Sequence, residues 1–169
     1  MDKVKILENF VDDATCDNMV EVYKKLFANT NKYIDGRKLI HNQKDPEILD
    51  FLRIYIDKLS TELNSKYYVR GLLLSIYEEG AYVEPHTDYT NKLVRDSLGI
   101  LFYFNDDFQG GEVYFSNYEF EYHPKKGSVL IFPCNDSQYE HGVKPIISGT
   151  RYTMPVEVTE KKELEVISL

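Results

Sequence analysis

The chain has 169 residues, 43% hydrophobic and 28% charged, which suits one folded domain with a core and excludes a disordered chain or two ordinary domains. A net charge of -8, with basic pairs only at Lys24-Lys25, Lys125-Lys126 and Lys161-Lys162, argues against a surface that tracks a phosphate backbone, hence against a nucleic-acid partner. Cys16 and Cys134 lie far apart, so they form neither a disulfide framework nor a CxxC thiolate site. With no long apolar run after Met1, the expectation is a cytoplasmic chain with no signal peptide, transmembrane segment or membrane partner.

In chain order, the first third reads as helical. Met19, Val20, Tyr23, Leu26 and Phe27 recur on one helix face, with Asp13 or Thr15 as the cap. A second helix opens at Asp45-Pro46, where Asp accepts from the first free amides and Pro is already set at a helical φ. Its stripe is Leu49, Leu52, Ile56, Leu59 and Leu63, and Asn64-Ser65 ends it.

From Tyr67 the pattern changes to short apolar and aromatic runs. Strands are predicted at Val69–Tyr77, Val83–Asp88, Leu98–Phe104, Glu112–Phe115, Phe120–His123, Ser128–Phe132, His141–Ile147 and Arg151–Val158. The breaks fall at Glu79-Gly80, Asn105-Asp106-Asp107, Gly110-Gly111, Pro124 to Gly127, Asn135-Asp136 and Ser148-Gly149, residues suited to tight reversals. About eight such strands suggest a sandwich or barrel, of which the double-stranded β-helix, a jelly roll, is one form. The tail from Thr159 reads as a solvated end or a last helical turn. The expected organisation is a single domain over 1–169, with helical support over about 1–66 and a β core over about 67–158.

Three sets of residues carry chemistry. In His86-Thr87-Asp88, strand alternation puts the imidazole and the carboxylate on one face. That pair by itself is also what a surface strand would carry. His141, in a later strand, would complete two imidazoles and one carboxylate, a set that covers one face of an octahedral ion and leaves three positions open, as in non-haem iron(II) sites. Arg151 follows ten residues on, within an otherwise apolar strand. Burying a guanidinium there is costly unless an anion meets it, either a bound carboxylate or an internal salt bridge.

The ordered blocks from about Leu72 to Val158 resemble the iron(II)- and 2-oxoglutarate-dependent oxygenases, in particular their prolyl 4-hydroxylase-like branch. Tyr77 to Gly80 and His86 to Asp88 look like its first metal strand and approach. Leu101 to Asn105 and Gly110-Gly111-Glu112 look like its central strand and turn. Pro124 to Phe132, His141 to Pro145 and Gly149 to Arg151 match its second metal-histidine and anion-binding strands. Lys5 to Phe10 and the first helix resemble its N-terminal support more loosely.

The resemblance implies a mainly β (α+β) fold, a double-stranded β-helix with the N-terminal helices packed against one sheet. It implies a 2-oxoglutarate-dependent dioxygenase in which His86, Asp88 and His141 are the catalytic metal site for iron(II). Arg151 and Tyr103 would bind the distal carboxylate of the 2-oxoglutarate co-substrate, and Tyr77 would contact co-substrate or substrate near the metal. Ascorbate is the reductant expected with this branch. The substrate would be proline in a peptide or protein, hydroxylated at an unactivated C–H with release of succinate and carbon dioxide. The alternatives are a free amino acid or small metabolite, or a metal-dependent hydrolase or other non-oxygenase metal-binding jelly roll. Apolar walls at Leu74, Ile76, Leu101 and Ile131 would keep the barrel dry, and the loop from Tyr89 to Ser97, with Lys92, Arg95 and Asp96, would act as a lid. Two positions depart from the branch: Val83 and Glu157 stand where relatives often carry Tyr and Trp. His41 and His123 match nothing in it and read as surface residues.

Overall fold

The structure, a computed structural model, describes residues 3–30, 33–41, 44–88, 97–134 and 136–169. The loop read as a lid lies, over residues 89–96, outside these described residues, as does Asn135 of one predicted turn.

Two helices support the fold, α1 (Asp13–Phe27) and α2 (Pro46–Glu62). The cap of α1 is Asp12 rather than Asp13 or Thr15: its carboxylate accepts from the Thr15 amide at 2.9 Å and from the Thr15 hydroxyl at 2.8 Å. Asp45 caps α2, with Pro46 in the first turn as expected. The buried face of α2 is Ile48, Phe51, Leu52, Tyr55, Ile56 and Leu59, while Leu49 and Leu63 of the predicted stripe are only partly covered. Phe51 and Tyr55 take the buried face because their rings pack against Phe102.

Among the described residues the strands, in chain order, are β1 (Lys5–Leu7), β2 (Tyr33–Ile34), β3 (Arg37–His41), β4 (Tyr68–Tyr77), β5 (Val83–His86), β6 (Ser97–Tyr103) and β7 (Gln109–Gly110). They continue with β8 (Val113–Phe115), β9 (Phe120–Tyr122), β10 (Val129–Pro133), β11 (His141–Val143), β12 (Ile146–Ser148) and β13 (Arg151–Thr159). A seven-stranded sheet has the order β1-β10-β6-β13-β4-β3-β2, and a four-stranded sheet the order β5-β11-β8-β9. All their pairings are antiparallel. The two sheets pack into a double-stranded β-helix with the helices on the outer face of the larger one.

Period-two alternation sorts the side chains of the large sheet between two cores. Ile100, Phe102, Val129, Ile131, Leu72, Leu74, Ile76, Met154 and Val156 face the helices. Leu101, Tyr103, Leu130, Phe132 and Tyr77 face the smaller sheet and meet Val113, Phe115, Tyr122 and Val143. Leu74, Ile76 and Ile131 are therefore not barrel walls, and Leu101 alone of the four predicted positions lines the interior. A strand buried on both faces is apolar throughout, so its pattern does not say which face is inside.

Three further corrections concern the ends and breaks. The N-terminal third is not purely helical: β1, β2 and β3 lie in it, and β3 pairs with β4 from Arg37 opposite Tyr77 to His41 opposite Leu73. The predicted strand from His141 to Ile147 is two strands in different sheets, separated at Lys144-Pro145, because Pro has no amide to continue the ladder. The tail is not simply solvated: after a 3-10 turn at Lys162–Leu164, Ile167 is buried and bridges Val69. No helix among the described residues is long and apolar enough to cross a membrane.

Candidate active site

The metal-ligating side chains meet because β5 and β11 are antiparallel neighbours with His86 opposite His141. Their ring centroids lie 4.5 Å apart. Asp88, two residues beyond His86, turns its carboxylate between them, with Oδ1 3.3 Å from His86 Nε2 and Oδ2 3.9 Å from His141 Nε2. One ligand atom from each residue falls within 4.8 Å of the others.

The tautomers are set by the backbone. His86 Nδ1 donates to the Glu84 carbonyl at 3.0 Å, and His141 Nδ1 donates to the Tyr139 carbonyl at 3.1 Å. A carbonyl only accepts, so both Nδ1 atoms carry the proton, and in the neutral form of each ring the lone pair is on Nε2, the atom nearer Asp88. The hydrogen bond to Asp88 raises the pKa of His86 above its ordinary value, whereas burial lowers that of His141.

Arg151 is 1% exposed at the start of β13. Its guanidinium lies 4.5 Å from the centroid of the Tyr77 ring and 5.2 Å from that of Tyr103. These faces offset part of the cost of burying the charge. Among the described residues no carboxylate forms an ion pair with it, and Nε and Nη1 have no hydrogen-bond partner. The hydroxyls of Tyr103 and Tyr122 are likewise buried and without partners, and burial pushes the Tyr103 phenol well above its usual range, so it remains a donor. Buried polar groups are nearly always satisfied. Two N–H groups of one guanidinium without partners among the described residues, beside the Tyr103 phenol, form a donor set suited to a carboxylate.

A cavity of about 100 Å³ joins the two halves, with His86, Asp88 and His141 on one side, Arg151 and Tyr77 on the other, and Leu101 between. A groove of about 460 Å³ opens from His86, Thr87 and Asp88 across Leu73, Leu101 and Pro155 to Glu157 and His41. The residues named from sequence are therefore brought together, Tyr77 under the guanidinium and Tyr103 beside it. Val83 lines the cavity, and Glu157 lies in the groove. His41 is exposed but borders the groove; His123 is exposed and sits 3.1 Å from Glu112, as a surface residue would.

Sequence reasoning missed two residues. Arg37, from β3, lines the cavity with a buried, unpartnered Nε. Tyr122 comes from the three-residue β9, 5.9 Å from Tyr103 between ring centroids. Strand alternation marks both as inward-facing once pairing is known, but nothing local marks the strands.

This geometry, a two-histidine, one-carboxylate face beside an enclosed anion site, defines a class of oxygenase, and the comparisons agree with it. The chain belongs to the 2OG-Fe(II) oxygenase superfamily, whose family model matches residues 72–156. It is accordingly a 2-oxoglutarate-dependent dioxygenase that uses iron(II) and 2-oxoglutarate. This excludes the metal-dependent hydrolase and the non-catalytic jelly roll.

Several solved structures share the fold. The viral collagen prolyl hydroxylase of Paramecium bursaria Chlorella virus-1, in its 2OG complex, is 18% identical with a TM-score of 0.74, over 95% of this chain and 97% of that one. A Pseudomonas putida prolyl-4-hydroxylase is 15% identical with a TM-score of 0.74, over 94% and 93%. A prolyl hydroxylase of Trichoplax adhaerens, in complex with a hypoxia inducible factor oxygen degradation domain peptide fragment, is 19% identical with a TM-score of 0.73, over 99% and 88%. No curated protein sequence matches the chain significantly.

Proposed function

We propose that the enzyme hydroxylates an unactivated C–H bond of proline in a peptide or protein, releasing succinate and carbon dioxide. In this reading His86, Asp88 and His141 hold the iron(II), and Arg151 with Tyr103 holds the distal carboxylate of 2-oxoglutarate. When bound, the iron would allow dioxygen to act as the oxidant, taking two electrons from 2-oxoglutarate and two from the C–H bond, so that one oxygen atom ends in succinate and the other in the hydroxylated product.

The protein's own residues perform the positioning. Carbonyl acceptors at Glu84 and Tyr139 aim both imidazoles. The ring of Tyr77 supports the guanidinium of Arg151. Leu101, with Val83 and Val143, makes the cavity wall apolar, which limits water at the reacting centre.

The observation that carries the co-substrate assignment is the buried Arg151, without an anionic partner among the described residues and lining the same small cavity as the three ligands. Support for a peptide comes from the open groove beside the ligands and from the peptide-bound Trichoplax relative. A free amino acid or small metabolite would use the same machinery, so only turnover separates the substrates. The test has two stages. Anaerobic iron(II) and 2-oxoglutarate should together produce the weak visible charge-transfer band of their chelate, and a folded, iron-loaded protein without it would overturn the co-substrate assignment. Aerobic succinate release is then screened with proline peptides and free amino acids, and the product mass should show one added oxygen atom. Release driven only by free amino acids would overturn the peptide reading.

A further inference from the structure

The strand β13 runs from the anion site to the mouth of the barrel. Arg151, Thr153, Pro155 and Glu157 share its inward face by alternation, and Glu157 ends the row in the groove that also borders His86, Thr87 and Asp88.

The surroundings of this carboxylate are specific. Glu157 is opposite Gly71 on β4 and Gly99 on β6, so neither neighbouring strand places a side chain over it. A Cβ on Gly71 would meet Glu157 Oε2 at 3.8 Å. On β4 the register then slips: Gly71 faces Glu157 but Val69 faces Val158, which leaves Arg70 as one extra residue. A bulge of this kind bends the strand and re-aims a side chain. Here it brings Arg70 Nη1 onto Glu157 Oε1 and within 3.3 Å of Ser97 Oγ. Among the described residues Oε2 has no hydrogen-bond partner. One oxygen is thus tied down from behind while the other faces a trough walled by Leu73, Leu101 and Pro155.

A carboxylate held this way, with apolar walls around it, favours an N–H donor, and a cationic donor most. We infer that Glu157 selects substrates carrying a protonated nitrogen near the C–H that is hydroxylated; this rests on the hydroxylase reading above. The nitrogen has two sources. The ring nitrogen of a proline within a peptide is an amide with no proton, so the cation there is a neighbouring Lys or Arg side chain. In free proline it is the ring ammonium itself. The net charge of -8 favours the approach of a cationic peptide.

The test uses proline peptides that differ only in Lys, Gln or Glu beside the proline, together with free proline. Each is assayed for coupled succinate release by the wild-type enzyme and by Glu157→Gln and Glu157→Lys. For a peptide substrate, the wild type should prefer the Lys peptide over the Gln peptide by about tenfold in kcat/KM, carried by KM, as expected for one charge-assisted hydrogen bond. Glu157→Gln should reduce that preference to within about twofold, and Glu157→Lys should turn it towards the Glu peptide. A KM rise of about tenfold on free proline in Glu157→Gln would instead assign the nitrogen to the ring ammonium.

Equal use of all three peptides by the wild type with no KM change on free proline, or a Lys preference that survives in Glu157→Gln, would overturn the inference. Failure of the hydroxylase reading has a different signature: no charge-transfer band with iron(II) and 2-oxoglutarate, and no succinate, in the wild-type protein. That result removes the basis of this inference as well.

Discussion

Arg151 concentrates the chemistry of the molecule in one side chain. Two tyrosine faces support it, and among the described residues no carboxylate neutralises it and two of its N–H groups have no partner. Cation–π contact is worth up to about 2 kcal/mol when desolvated, well short of the cost of burying an unpaired charge. In the proposed function, binding of a dicarboxylate recovers the shortfall. Replacing Arg151 by Leu should therefore raise the 2-oxoglutarate concentration needed for half-saturation by roughly 100-fold, the equivalent of losing about 3 kcal/mol in charge-assisted hydrogen bonds. Iron binding should persist, because none of the three ligands contacts the guanidinium. Anaerobic titration of each component reads both quantities. A loss of metal affinity together with co-substrate affinity would show that Arg151 holds the site's shape rather than its anion.

At the scale of elements, the turn between β7 and β8 holds the anion site closed. Gly110 and Gly111 both take positive φ, +76° and +70°. A Cβ on Gly110 would come to 2.2 Å from the Pro145 carbonyl oxygen, and one on Gly111 would press on Ile146 and approach Arg151 Cδ at 3.4 Å. The close approach lets β7 pair with β12 and brings the loop over Arg151. Gly110→Ala adds a left-handed conformation to a backbone clash and should destabilise the fold by about 3 kcal/mol, lowering the thermal midpoint by roughly 6–12 °C. Gly80 has a φ of +83° but open space around it, so Gly80→Ala should cost only about 1 kcal/mol. Circular dichroism melts of the two variants check the contrast, and equal midpoints would refute the steric argument. The helices show what local signals convey. Asp45-Pro46 announces α2 by itself, whereas β1 and β3 exist because β10 and β4 offer them an edge.

For the whole molecule, the two cores have a consequence for its thiols. Cys16 lies at the interface of helix and sheet, fully buried, and Cys134 lies in the inner core at 3% exposure. Burial pushes the Cys16 thiol up to about 12 from an ordinary value of 9.0, and it raises Cys134 in the same sense. The unfolded chain loses these protons above about pH 9, while folded Cys16 keeps its proton until about 12. Unfolding therefore releases protons in that window, and stability falls as pH rises through it. With a thiol-reactive chromophore at about pH 8, neither cysteine should react in the native protein within minutes, and both should react in denaturant. Rapid labelling of Cys16 in the folded state would mean that the helix–sheet interface opens readily.

The sequence by itself determined the metal triad, the arginine ten residues beyond it, the two helices and most of the core strands. These are written in local terms: ligand types at a spacing of two, caps beside stripes, and alternation between turn residues. Only the tertiary structure decided which face of the large sheet is inside. Leu74, Ile76 and Ile131 are as apolar as Leu101 but face the helices, and a sheet covered on both sides offers no local cue to tell them apart. The same holds for Arg37, Tyr122 and the bulged Arg70, whose positions follow from strand pairing. It also holds for the unpaired state of Arg151, because whether a buried cation meets a carboxylate depends on residues distant in the chain.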